Sequence, residues 1–202
     1  MTAAPSVLAD QRTPGRAGRH RSEAVDRVIL EAALALLREH GYEGLTMLAV
    51  IERAGVSSAS LYRRWRTKQA LVVAALESLS VDVFACDTGT LAGDLGAFAS
   101  RSAKVLAEHG PLLARLTSEL NGNEDVLNAL RERLLAPRLD ELEAVLERAC
   151  SRGELSQRPP PAEDVLSMLT GPLHHRALVL GQPLRKAFVR AAVAQTVAYL
   201  ST

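Results

Sequence analysis

An all-α fold follows from three observations on the 202-residue chain. Apolar residues recur at helical spacing almost throughout, with no alternating apolar run long enough to argue a strand. Gly, Pro and Asn divide the chain into about nine such segments. A tight Ala54-Gly55-Val56 turn joins two short segments in the first third. The first helix is predicted to open at Ser22 as its cap, with Glu23 in the favourable first turn. Val25, Val28, Ile29, Ala32, Ala33, Leu36 and Leu37 form its buried stripe, and Gly41 stops it. A shorter helix starts at Thr46 and runs through Met47, Val50 and Ile51 to Ala54. Ala54 is small where two helices cross, Gly55 suits a left-handed helix end, and Val56 plugs the pair. A third helix restarts at once, capped by Ser57 or Ser58, with Leu61 and Trp65 toward the core. The fourth begins at Thr67-Lys68 and carries Leu71, Val72, Ala75, Leu76 and Leu79 on one stripe.

The third helix has a second, polar side. Ser58, Ser60, Tyr62, Arg63 and Arg64 are donors and cations, the groups that phosphates and base edges accept. A formal net charge of +1 hides an asymmetry. Residues 1–70 hold 11 Lys/Arg against 7 Asp/Glu, and residues 71–202 hold 13 against 16. The positive end is the motif end. Residues 1–21 place Arg12, Arg16, Arg19 and Arg21 on a Pro/Gly/Ala-rich background with one acid, Asp10. They read as a disordered basic arm, either an inert tail or one that adds phosphate or minor-groove contacts.

From Ser22 to Leu79 the chain resembles the tetracycline-repressor (TetR) family of bacterial transcription regulators. The resemblance rests on Ile29-x-x-Ala32-Ala33, Gly41-Tyr42, Thr46, Ala54-Gly55-Val56-Ser57, Leu61-Tyr62, Trp65 and Lys68-x-x-Leu71. The chain departs from the family at Val50-Ile51, where Ile-Ala is common, and at Ala59, where Gly is common. Both departures bear on operator preference. Carried over residue by residue, the resemblance implies a DNA surface of Thr46, Ser57, Ser58, Ala59, Ser60, Tyr62, Arg63, Arg64 and Lys68. Ser58 and Ala59 would lie nearest base edges, and Tyr62 would meet phosphate or base. Thr46, Ser60, Arg64 and Lys68 would hold phosphates, and Arg63 is a candidate base reader.

Beyond Leu79, Leu91, Leu95, Phe98, Val105 and Leu106 outline a helix that Gly110-Pro111 is expected to end. Leu112, Leu113, Leu116 and Leu120 mark a short successor, stopping near Asn121-Gly122. Asn123 opens a longer helix reaching about Cys150, kinked or divided at Pro137. Arg152 to Pro161 reads as a linker, and helices from about Ala162 to Leu180 and from about Pro183 to Leu200 follow. The last helix is apolar on most of its circumference, so it needs cover from its own domain and from a partner chain. In the family the last two helices form a dimeric four-helix bundle.

Little supports catalysis or a cofactor. Adjacent His174 and His175 point about 100° apart on a helix and have no ligand three or four residues on. There is no glycine-rich phosphate loop and no HExxH. Cys86 and Cys150 are far apart and read as reduced cytosolic thiols. No apolar run of about 18 residues suggests a membrane span, and the N-terminus lacks a secretory h-region. The resulting expectation is a cytoplasmic, homodimeric, non-enzymatic regulator, a repressor released from operator DNA by a small molecule. Its parts are a flexible arm (1–21), a helix-turn-helix domain (22–67) and a ligand-binding and dimerisation domain (68–202). The family binds ligand inside the C-terminal bundle, where Phe84, Phe98, Met168 and His174 are candidates here. With 3% aromatic residues, an apolar or amphipathic ligand suits the chain better than a flat cation. The alternative is a helical interaction module that has lost operator binding.

Overall fold

A computed structural model of the chain describes residues 16–79, 86–155 and 159–201, with the side chains of residues 16–21 excepted. Among these the fold is all-α, with no strand. Four helices form the N-terminal part: α1 (Arg16–Gly44), α2 (Met47–Ala54), α3 (Ser58–Arg64) and α4 (Lys68–Glu77). Then follow α5 (Leu91–Glu119), α6 (Glu124–Leu130), α7 (Ala136–Ser151), α8 (Ala162–His174) and α9 (Lys186–Leu200). No helix among the described residues is long and apolar enough to cross a membrane.

The expected arm is corrected in its last six residues, 16–21, and residues 1–15 lie outside the described residues. The chain is already helical at Arg16, so Ser22 sits inside α1 and does not cap it. Ala17, Arg19 and Arg21 are good helix formers, and nothing between them and Ser22 forces a stop. At the other end α1 breaks at Gly41, whose φ of 73° is left-handed. A Cβ there would collide with the Glu119 carboxylate. That carboxylate accepts the Tyr42 N–H at 2.6 Å and the Arg115 Nε–H at 2.6 Å. The Tyr42 bond and then Arg115 hold Glu119 below the usual carboxylate range.

Two cores result. The first joins Ile29, Leu37, Leu45, Val50, Leu61 and Leu71 of the N-terminal part to Leu112 and Leu116 of α5, to Leu120 just past it and to Val126. The second gathers Leu95, Phe98, Leu142, Val145, Leu169, Leu173 and Val189 from α5, α7, α8 and α9. Leu113 packs against both, making α5 the shared spine.

That spine overturns one expected break, because α5 passes through Gly110-Pro111 uninterrupted. Proline removes one backbone bond, yet Leu106, Leu112 and Leu116 keep one buried face across it. Pro137 divides its helix as anticipated. A π-helical turn, Arg131–Leu135, precedes it, and Pro137 falls in the first turn of α7, where no intrahelical N–H bond is needed. A second π-turn, His175–Val179, extends α8 toward Gly181, φ 59°.

The last helix begins at Lys186, three residues later than Pro183. Arg176 of the π-turn donates to the Pro183 carbonyl at 3.1 Å and stacks 4.7 Å from the Phe188 ring, keeping the connection extended. The predicted linker is anchored at its start, where Glu154 accepts the Leu91 N–H at 2.7 Å. Leu155 is buried beside it. Buried Asp94 is satisfied by the Thr88 N–H at 2.6 Å, the Thr88 hydroxyl at 2.7 Å and Arg152 at 3.3 Å.

Candidate functional site

The α2–α3 unit is built from local chemistry. The Thr46 hydroxyl accepts the Ala49 N–H at 3.1 Å and opens α2. Gly55, at φ 63° and ψ 33°, closes it, while the Val56 N–H reaches back to the Ile51 carbonyl at 3.3 Å. Ser57 is the cap of α3, its hydroxyl accepting the Ser60 N–H at 3.2 Å. Thr67 caps α4 in the same way, at 3.1 Å from the Ala70 N–H.

Leu61 is fully buried and fixes α3 to the first core. Trp65 lies just past the helix in extended backbone, partly buried against the same core. On the other side Ser57, Ser58, Ala59, Tyr62 and Arg63 are all exposed, as is Thr46 at the start of α2. These side chains form one polar surface around the start and outer face of α3. Leu48, 63% exposed in the first turn of α2, and Arg66, exposed between α3 and α4, border it. Leu48 was not among the sequence-derived candidates, because an apolar residue in a helical pattern reads as core.

Arg64 departs from the expected surface. Its side chain is only 14% exposed and pairs with Asp26 of α1. It also donates to the Ser60 carbonyl and hydroxyl, both at 3.0 Å, and to the Ser22 hydroxyl at 3.2 Å. These bonds turn the guanidinium into a strut between α3 and α1, and they occupy the half-buried Ser60 as well. A second tie joins α1 to α2 through Glu39, which accepts both Arg53 terminal nitrogens at 2.7 and 2.6 Å. Lys68 stands at the first turn of α4, its Nζ 4.3 Å from the Tyr42 ring centroid and 3.3 Å from the Glu43 carbonyl. An ammonium has three donors, so this perch leaves hydrogens free for an anion.

The structure does not bring the four ligand candidates together. Phe84 lies outside the described residues, Phe98 is packed in the second core, and Met168 is half-buried on α8. His174 alone lines a half-open cavity of 290 Å³ bordered by α4, α5, α6, α7 and the end of α8. Its walls are mostly leucines that helical periodicity assigns to core, among them Leu76 of α4 and Leu79 just past its end. A larger apolar groove of 880 Å³ runs between α5 and α9 and touches none of α1 to α4. Among the described residues no three His, Cys, Asp or Glu side chains are placed to hold a metal. Cys86 is buried against Arg101, and burial pushes its thiol pKa up.

A capped helix that presents hydroxyls, a phenol and a guanidinium to solvent, directly after a tight turn from a second helix, defines a helix-turn-helix DNA-binding protein. Residues 29–75 match the family model of bacterial regulatory proteins, tetR family, and residues 85–196 match that of the tetracyclin repressor-like C-terminal domain. The chain is 35% identical over 179 residues to the DNA-binding transcriptional repressor TetR of Mycobacteroides abscessus, a match covering 84% of this chain and 90% of that protein. It is 30% identical over 175 residues to the HTH-type transcriptional regulator YdeS of Bacillus subtilis, covering 86% and 88% of the two chains. In fold it is similar to the crystal structure of a TetR-family transcriptional regulator from Rhodococcus sp., with a TM-score of 0.72, 20% identity and coverage of 89% and 100%. The chain belongs to the TetR family and is a DNA-binding transcriptional regulator.

Proposed function

We propose that the protein is a cytoplasmic repressor that binds a palindromic operator as a homodimer and leaves it when a small molecule fills the α4–α8 cavity. The observation that carries this reading is the division of α3 into two sides. Leu61 and Arg64 clamp one side to the core, while Ser58, Ala59, Tyr62 and Arg63 stand exposed on the other. A helix so fixed holds its outer side chains in register with base edges. The contact set is then Thr46, Ser57, Ser58, Ala59, Tyr62, Arg63 and Lys68, with Arg64 and Ser60 holding the helix in place.

The same reading divides the chain into a DNA-binding unit, 22–67, and a ligand-binding and dimerisation unit from 68 onward. Helix α4 belongs to the mechanism of both. Its first turn follows α3 after three residues, and its far end supplies Leu76 to the cavity wall, with Leu79 just beyond it. A ligand that displaces that wall moves α3. In a dimer joined through α8 and α9, such movement changes the spacing of two recognition helices, which must stay about 34–36 Å apart, or a multiple of a helical turn.

Two measurements separate the roles of the surface residues. Substituting Ser58 or Arg63 by Ala changes which bases are preferred in binding to a panel of mutated sites. Tyr62→Phe weakens all sites about equally if its hydroxyl meets phosphate, and a base-specific loss there would reverse the assignment. Lys68→Ala removes two phosphate contacts per dimer, so the slope of log affinity against log salt shrinks by about 1.8. An unchanged slope removes Lys68 from the contact set.

A further inference from the structure

The α4–α8 cavity contains a charge that its leucine walls do not need. Arg138 of α7 lines it and makes no hydrogen bond or ion pair with any described residue. The acid one turn further on, Glu141, gives its carboxylate to Arg101 instead. Burial pushes the Arg138 pKa down, Glu141 pushes it up, and Arg101 pushes it down again. Arg138 is half-buried against these apolar walls, where a guanidinium with no described partner is open to an incoming anion.

A second polar group lines the same space. His174 Nδ1 lies 2.8 Å from the Thr170 carbonyl. A carbonyl only accepts, so Nδ1 carries the proton and Nε2 is left for a ligand. Thr117 is the other polar lining residue, and Leu113, Leu127 and Leu130 are typical of the rest. The 290 Å³ volume suits a molecule of on the order of ten non-hydrogen atoms, taking about 30 Å³ per water as the liquid measure.

From this lining we infer that the effector is a small monocarboxylic acid with an aliphatic or aryl body, its carboxylate held by Arg138 and its body by the leucine walls. The inference rests on the proposed role of the cavity as the effector site. Arg138 reads the charge through a two-nitrogen fork that matches a carboxylate, and His174, on the same lining, offers Nε2 to a polar substituent. Because Arg138 has no described partner to lose, its replacement leaves the stability of the free protein little changed.

The test uses octanoate and its uncharged counterpart octanol, titrated calorimetrically into the full-length protein and into Arg138→Met. Octanoate binds the unaltered protein at least tenfold more tightly than octanol. In Arg138→Met the octanoate affinity falls about tenfold to a hundredfold more than the octanol affinity, the range of a charge-assisted hydrogen bond. The ligand-free variant melts no lower than the parent, which separates loss of a ligand contact from damage to the fold. Equal binding of the two probes, no binding of either, or an equal loss of both in Arg138→Met would overturn the carboxylate assignment. Operator release, followed in parallel, distinguishes the two readings. Octanoate that binds through Arg138 without releasing operator refutes the effector role of the cavity and leaves the ligand chemistry standing. Release by octanol as effective as by octanoate refutes the ligand chemistry and leaves the effector role standing.

Discussion

Ala191→Glu is expected to convert the proposed dimer to folded monomers and to remove high-affinity operator binding. On α9, Val189, Ala192, Val193 and Thr196 face the chain's own core. Ala187, Ala191, Ala194 and Ala198 are exposed on the opposite face and allow a partner helix to approach closely. In an isolated chain the new carboxylate stays in water, so the monomer's core is untouched. In a dimer closed through α8 and α9, two-fold symmetry places it in the interface twice. Burying an unpaired carboxylate costs several kcal/mol, about 3 or more for each copy. Sedimentation equilibrium beside circular dichroism reads the outcome, and a variant that remains dimeric with native operator affinity rules out this face as the interface. Val193 is a poor site for the same experiment. It is 9% exposed and belongs to the second core, so a charge there damages the fold before it reaches any partner.

Arg64→Ala is expected to lower both stability and operator affinity while leaving the salt dependence of binding in place. The substitution strips Asp26, Ser22 and Ser60 of a shared donor and frees α3 to shift on α1. Asp26 is 39% exposed, so water offsets part of the loss, and the destabilisation is about 1–2 kcal/mol. Affinity falls at every salt concentration because the recognition helix is less well held. A thermal melt and a salt titration check the two halves. A slope reduced by about 1.8 would show that the guanidinium meets phosphate, the role that the family resemblance implies for it.

The contrast between Arg64 and the caps around it explains what was legible in the sequence. Thr46, Ser57 and Thr67 each bond an N–H three residues on, and Gly55 takes the left-handed turn that only glycine adopts freely. Such signals are complete within a few residues, so the helix-turn-helix was readable without the fold. Arg64 finds Asp26 38 residues away, and no local pattern discloses that partner. The same reasoning covers Arg138, which shares a cavity lining with residues of α5, α6 and α8 that lie far from it in sequence. The passage of α5 through Pro111 is also tertiary in origin, since a continuous buried face outweighs one missing backbone bond. Where the sequence went wrong on helix ends, at Arg16 and Lys186, propensity and distant contacts overrode a plausible local stop.

The central claim is that two α3 helices in one dimer read one operator. Selection of bound fragments by the purified full-length protein, from a random double-stranded DNA pool, tests it most directly. The expected result is enrichment of a palindrome whose half-sites are centred about one helical turn apart, or a multiple of it, with enrichment lost in Ala191→Glu. Recovery of no preferred sequence, or of a single asymmetric site bound equally well by the monomeric variant, would contradict it.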